Sequence, residues 1–232
     1  MITKVEKARS NFAKAATTPW KEATMIFGFL LFPDLEELDL VGPWEMVAMW
    51  SQYADGPEKC LMIAATKEPV PCSNGMVIQP HLSFEDAPQL DFLLIPGGFG
   101  TREQVNNQRL IRFVSKQAKN CKAILSVCTG SFILHACGLL KGKKATTHWL
   151  SLEHLRKLEG VEVVEKRIVK DGNIWTSSGV SAGIDLALAF IEHEAGEGTA
   201  GSVQSFAEYY PSGKNYGTFH QDSKAPGYLR AK

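Results

Sequence analysis

With 232 residues the chain has enough length for one large domain or two small ones, and it can bury a continuous core. Its 44% apolar and 22% charged residues are those of an ordinary globular domain, which excludes a disordered chain. Lys plus Arg and Asp plus Glu balance at 25 each, so the basic footprint of a general nucleic-acid or anionic-membrane binder is missing, and a small or uncharged partner is expected.

Residues 1–23 carry scattered lysines and small residues and lack the compact apolar stretch of a secretory signal, so they are read as an N-terminal extension. No apolar run approaches the roughly 18 to 20 residues needed to span a bilayer. Neither a membrane nor a nucleic-acid partner is expected, and a cytoplasmic location is. Five cysteines (Cys60, Cys72, Cys121, Cys128 and Cys137) are widely spaced and never form Cys-x-x-Cys, which points to free thiols and neither a disulfide framework nor a zinc site.

The first element is the apolar run from Met25 to Phe32, of strand length and continuous enough to be buried on both faces of a parallel sheet. Runs of the same character recur at Lys59 to Ala65, Asp91 to Ile95 and Ala123 to Val127. Between them, helices are predicted over Val41 to Ser51 and over Arg102 to Ala118, where Val105, Leu110, Ile111 and Val114 recur at roughly helical spacing. Asn74-Gly75 marks one hairpin. A second is predicted over Glu162 to Ser177 around Asp171-Gly172-Asn173. Helices follow at Ser181 to Glu194 and Thr199 to Tyr209. One main domain is placed at 24–211, and 212–232 is read as a C-terminal surface tail. Strands alternating with helices predict a doubly wound α/β sandwich of three layers around a mostly parallel sheet.

Three strand-to-helix corners carry the chemistry. In A-I-L-S-V-C-T-G-S an apolar strand runs straight into a small-residue turn and a helix, which puts Cys128 on a nucleophile elbow at the carboxyl edge of the sheet. The dipole and free N–H groups of the following helix favour a thiolate, so a lowered Cys128 pKa is expected. The turn Pro96-Gly97-Gly98-Phe99-Gly100 lets backbone N–H groups approach a ligand closely, as an oxyanion hole requires. It lacks the spacing of a phosphate loop. Asp39, between Leu38 and Leu40, is open to two readings: a helix N-terminal cap, or a buried carboxyl whose raised pKa lets it carry a proton. His148, in Ala-Thr-Thr-His-Trp, either lines the pocket or is a structural histidine bonded to backbone. Trp44 and Trp149 are candidate apolar walls, and His193 is read as part of a solvated helix end.

The segments GFLLFPDLEELDLVGP, LLIPGGFG, SVCTGSFILHACGLLKGKKATTHW, VKDGNIWTSSGVSAGID and AEYYP follow one another as they do in the ThiJ/PfpI superfamily, and the set resembles its isocyanide hydratases. That resemblance covers about Ile26 to Pro211. It implies a homodimeric flavodoxin-like fold and a hydro-lyase that adds water to a small neutral isocyanide, with no metal or organic cofactor. By motif it makes Cys128 the nucleophile, Asp39 its acid/base partner, Gly97 and Gly98 the backbone donors, Thr129 the residue beside the nucleophile, and Val180 the branched residue near the cysteine's helix. Peptidase-like members place His where Thr129 stands, so a Cys-His pair is not implied. Two rival readings stay open: a ligand-sensing domain like that of certain transcription regulators, and a redox sensor in which Cys128 is oxidised.

Overall fold

The computed structural model describes residues 25–230. In chain order the elements are β1 (Ile26–Leu30), α1 (Glu37–Tyr53), β2 (Lys59–Ala64), β3 (Val70–Pro71), β4 (Val77–Ile78), β5 (Leu82–Ser83), β6 (Phe92–Ile95), α2 (Thr101–Gln104), α3 (Gln108–Ala118), β7 (Ala123–Ser126) and α4 (Gly130–Ala136). They continue with β8 (Lys143–Ala145), α5 (Leu152–Arg156), β9 (Val161–Val163), β10 (Ile168–Asp171), β11 (Ile174–Ser177), α6 (Ala182–Ala195), α7 (Glu197–Phe206) and α8 (Gly227–Arg230).

Seven strands form one sheet in the order β10-β11-β7-β6-β1-β2-β5. All pairs are parallel except the antiparallel edge pair β10–β11. This is the mostly parallel sheet with flanking helices that the alternating apolar runs predict. Every residue of β1, β6 and β7 is buried, as a sheet covered on both faces requires. On one face Phe190 of α6 meets Phe92, Trp175 and Phe27 with ring centroids 5.0, 5.7 and 6.0 Å apart, edge to face. In register, Phe29 of β1 stands beside Leu94 of β6, and Leu94 beside Leu125 of β7. The carboxyl ends of these three neighbouring strands therefore lie side by side, and each releases its chain into one of the three corners.

The helix predicted over Val41 to Ser51 begins earlier, at Glu37, and other predicted elements also differ in detail. The helix expected over Arg102 to Ala118 is two helices, because Asn107 interrupts it and caps the second: its Oδ1 accepts from the N–H groups of Arg109 at 3.1 Å and Leu110 at 3.3 Å. The hairpin predicted from Glu162 comprises only β10 and β11, since β9 pairs in parallel with β8 instead. The Asn74-Gly75 hairpin is β3–β4. The segment after Pro211 is exposed to begin with but then returns to the domain, where Ala225 is 1% exposed and Phe219 packs on Trp149 with centroids 4.8 Å apart. Residues 1–23, read as an extension, lie outside the described residues.

Candidate active site

Cys128 sits two residues beyond β7 with φ +55°, a left-handed conformation that costs a non-glycine residue about 1–2 kcal/mol. The surrounding contacts hold it there. Its N–H is shared between the carbonyls of Ser177 and Ser178, both at 3.2 Å, and its own carbonyl accepts from Thr147 Oγ1 at 2.8 Å and Ser131 Oγ at 3.3 Å. Val180 is also left-handed, at φ +43°, which is a genuine outlier for a β-branched residue. The distortion aims its N–H at the Cys128 thiol and the Asp39 carboxyl.

Asp39 is 0% exposed and is not a cap. The helix begins at Glu37 with Glu36 at the N-cap position, so Asp39 falls on the third helical residue and its side chain turns inward. Oδ2 accepts from the Gly97 N–H at 2.8 Å. Burial pushes the carboxyl up to about 8, against the pull of the Gly97 N–H; the negative charge of Glu36 raises it further, and contacts from Cys128 and Val180 lower it. Of the two readings of Asp39, the buried carboxyl is the one found.

The Cys128 thiol is not lowered as expected. Burial raises it to about 12, the charge of Asp39 adds to the rise, and the Thr129 and Val180 N–H groups pull the other way without overcoming it. The short dipole of α4, a seven-residue helix, does not offset burial and the carboxyl that the fold brings in from another corner. Thiol and carboxyl thus form a coupled pair in which losing both protons is strongly disfavoured.

Gly97 has no room for a side chain: a Cβ there would lie 2.5 Å from the Thr129 nitrogen and 2.8 Å from Asp39 Oδ2. Its N–H holds the carboxyl, and the Gly98 N–H donates to Thr129 Oγ1 at 3.0 Å. The two N–H groups expected to form an oxyanion hole are therefore engaged in fixing Asp39 and Thr129, and Gly98 alone reaches the cavity wall. Thr129 Oγ1 also lies 3.2 Å from Thr101 Oγ1, so its hydroxyl is fixed from both sides.

Cys128 opens on a cavity of ≈190 Å³ lined by Gly98, Thr129, His148, Val180, Glu36, Phe99, Arg102, Leu150 and Ser151. His148 plays both anticipated parts. Its Nδ1 accepts from the Leu150 N–H at 3.3 Å, and its ring lies against Gly179, where a Cβ would stand 2.0 Å from Cδ2. Burial holds the imidazole below its usual pKa. The apolar walls are Phe99, Leu150 and Val180 rather than the tryptophans: Trp44 packs on Phe29 at 5.0 Å, and Trp149 on Phe219. His193 is exposed on α6, with Nε2 3.0 Å from Lys170 Nζ. Sequence reasoning missed Glu36, Phe99, Arg102, Leu150 and Ser151 as lining residues, although each lies in or just beyond a motif it singles out. Among the described residues no cluster of three or more His, Cys, Asp or Glu could hold a metal, and no helix is long and apolar enough to cross a membrane.

Residues 27–193 match the DJ-1/PfpI family. The isonitrile hydratase of Pseudomonas putida is 40% identical over 185 residues, which are 80% of this chain and 78% of that protein. The transcriptional regulator GbdR of Pseudomonas aeruginosa is 28% identical over 78% of this chain but only 50% of its own length. Among solved structures, a ThiJ/PfpI family protein from Pseudomonas syringae superposes with a TM-score of 0.75 at 33% identity, covering 81% of this chain and 76% of the other. DJ-1beta of Drosophila melanogaster shares the fold, with a TM-score of 0.69 at 22% identity over 81% of this chain and 99% of its own.

Proposed function

The chain belongs to the DJ-1/PfpI family, and on that premise we propose that it is an isocyanide hydratase, a hydro-lyase that adds water to an organic isocyanide to give an N-substituted formamide. The observation that carries this reading is the pairing of a buried thiol with a buried carboxyl, Cys128 with Asp39, at the wall of a small cavity. A terminal isocyanide carbon needs a nucleophile and a proton at the same atom, and this pair offers both.

The pair works with one proton. Asp39 as carboxylate takes the thiol proton, Sγ attacks the isocyanide carbon to form the C–S bond, and Asp39 returns that proton to the same carbon, leaving a thioimidate R–N=CH–S–Cys128. Water then adds across the C=N bond, with the carboxylate removing a proton from its oxygen while the nitrogen gains one. Collapse breaks the C–S bond, releases R–NH–CHO and restores the thiol. Thr129 and Val180 N–H groups stabilise sulfur as it gains and loses charge. Neither step calls on a metal or an organic cofactor, and a neutral reacting group suits apolar walls such as Val180 and Leu150. A cytoplasmic location and a twofold homodimer accompany this reading; light scattering at micromolar concentration should give twice the chain mass, and the monomer mass would count against the dimer.

A redox sensor favours an accessible thiol of low pKa, whereas Cys128 reaches only the cavity and burial with the Asp39 charge raises its pKa. The test is ultraviolet detection of aryl isocyanide hydration by the native chain beside Cys128→Ala. Turnover confined to the native chain is expected. No turnover by either, or equal turnover by both, would overturn the proposal.

A further inference from the structure

A second cavity adjoins the one that holds Cys128. It is larger, ≈330 Å³ against ≈190 Å³, and the two share Arg102, Thr129 and Ser151. Thr129, which directly follows Cys128 in the chain, belongs to the wall of both chambers, so the second lies one residue away from the thiol. The reacting group is only a nitrogen and a carbon, so the chemistry itself does not need this space. A substituent on the nitrogen would fill it, and its walls state what that substituent is like. Val105 and Phe132 are apolar, whereas Arg102 and His154 bring N–H donors.

Arg102 is exposed and packs on an aromatic ring. Its guanidinium carbon lies 4.9 Å from the centre of the Phe99 ring, a ring that is 69% exposed, and its Nη1 reaches only the Phe99 carbonyl at 3.5 Å. Arg109, Arg156 and Arg167 each form an ion pair with a carboxylate. Arg102, like Arg112 and Arg230, has none among the described residues, and of these three it alone lines a chamber described here. Glu36 lines the first chamber, but no Asp or Glu lines the second. A planar cation propped on an aromatic shelf, facing a chamber without an acid, is arranged to receive an anion.

We propose that the second chamber is a substrate subsite in which Arg102 binds a carboxylate, so that the preferred isocyanides carry an acid at the end remote from the isocyanide carbon. The inference rests on the hydratase reading and sharpens it from isocyanides in general to isocyano acids with an apolar body. Arg102 touches the substrate tail and not the reacting carbon, so it acts mainly through KM.

The experiment compares 4-isocyanobenzoate with its methyl ester and with 4-isocyanotoluene. The native chain should favour the acid in kcat/KM by about tenfold or more, the scale of one charge-assisted contact that is partly open to solvent. Arg102→Met keeps an unbranched apolar stem over Phe99 and should bring the acid-to-ester ratio to about one, with the change in KM. Arg102→Lys keeps the charge without the fork and should fall between. A native chain that hydrates the ester as well as the acid, or an Arg102→Met variant that keeps the native ratio, would overturn the subsite and leave the hydratase reading intact. If no isocyanide is hydrated, protection of Cys128 from alkylation by 4-formamidobenzoate against 4-formamidotoluene decides the subsite separately. Stronger protection by the acid, lost in Arg102→Met, supports it; equal protection by the two overturns it.

Discussion

Strand β7 has a cysteine near each end, and the two make an instructive pair. Cys121 precedes it by two residues, Cys128 follows it by two, each is 7% exposed, and burial pushes each thiol up to about 12. Burial and titration do not tell them apart. At the amino end, the Cys121 thiol is committed to the Leu90 carbonyl at 3.3 Å. At the carboxyl end, the Cys128 thiol meets a carboxyl group, two backbone N–H groups and a cavity. The difference comes from the direction of the strand, since parallel strands release their connecting loops at the carboxyl edge and only there can three corners converge.

The comparison breaks most decisively if the wrong cysteine matters. Cys128→Ala should lower isocyanide hydration by at least about 10³-fold, the scale seen when a covalent nucleophile is removed, whereas Cys121→Ala should turn over at the native rate. Steady-state rates on one aryl isocyanide check both.

Next in size is Asp39→Asn, which keeps the shape but cannot exchange a proton, and should lower turnover by roughly 10²-fold. It also has a stability signature. The folded-state pKa of Asp39 is raised from 3.8 to about 8, so the folded protein holds this proton more tightly than the unfolded chain does, and the native form loses stability as pH climbs from about 4 to about 8. The amide of the variant carries no such charge. Melting temperatures of the two chains should therefore diverge over that range, with the variant increasingly the more stable; parallel curves would contradict the buried carboxyl.

Gly97→Ala tests whether the corners must touch. The added Cβ has to displace the Thr129 backbone or the Asp39 carboxyl, so both a loss of about 1–3 kcal/mol in stability and a clear fall in turnover are expected. Thermal unfolding together with rates measures both. The smallest effect belongs to Cys121→Ala, where loss of the Leu90 contact and a small void should cost about 1 kcal/mol, or about 2–4 °C in Tm for a chain of this size.

The strands were legible because a doubly covered sheet demands continuous apolar runs, and MIFGFLLF, DFLLI and AILSV are such runs. The three corners follow from them, and with them the neighbourhood of Cys128, Asp39 and Gly97. Three things were not legible. The break at Asn107 depends on a cap competing with a helical pattern that continues across it. The sign of the Cys128 shift depends on burial and on a carboxyl distant in sequence, both tertiary properties that outweigh a local helix dipole. The part played by Gly97 is hidden because a free N–H and one already bonded to Asp39 have the same sequence.

The central claim is that Cys128 and Asp39 act as one unit that reacts when it holds a single proton, and the pH dependence of kcat/KM for a simple aryl isocyanide tests it most directly. Because burial raises Asp39 to about 8 and holds the Cys128 thiol higher still, the one-proton form of the pair accumulates as pH rises, so the native rate should rise through about pH 8 and then level off, and Asp39→Asn should lack that rise. A native profile that is flat or falls across pH 7 to 9, or an Asp39→Asn variant that keeps the rise, would contradict the account.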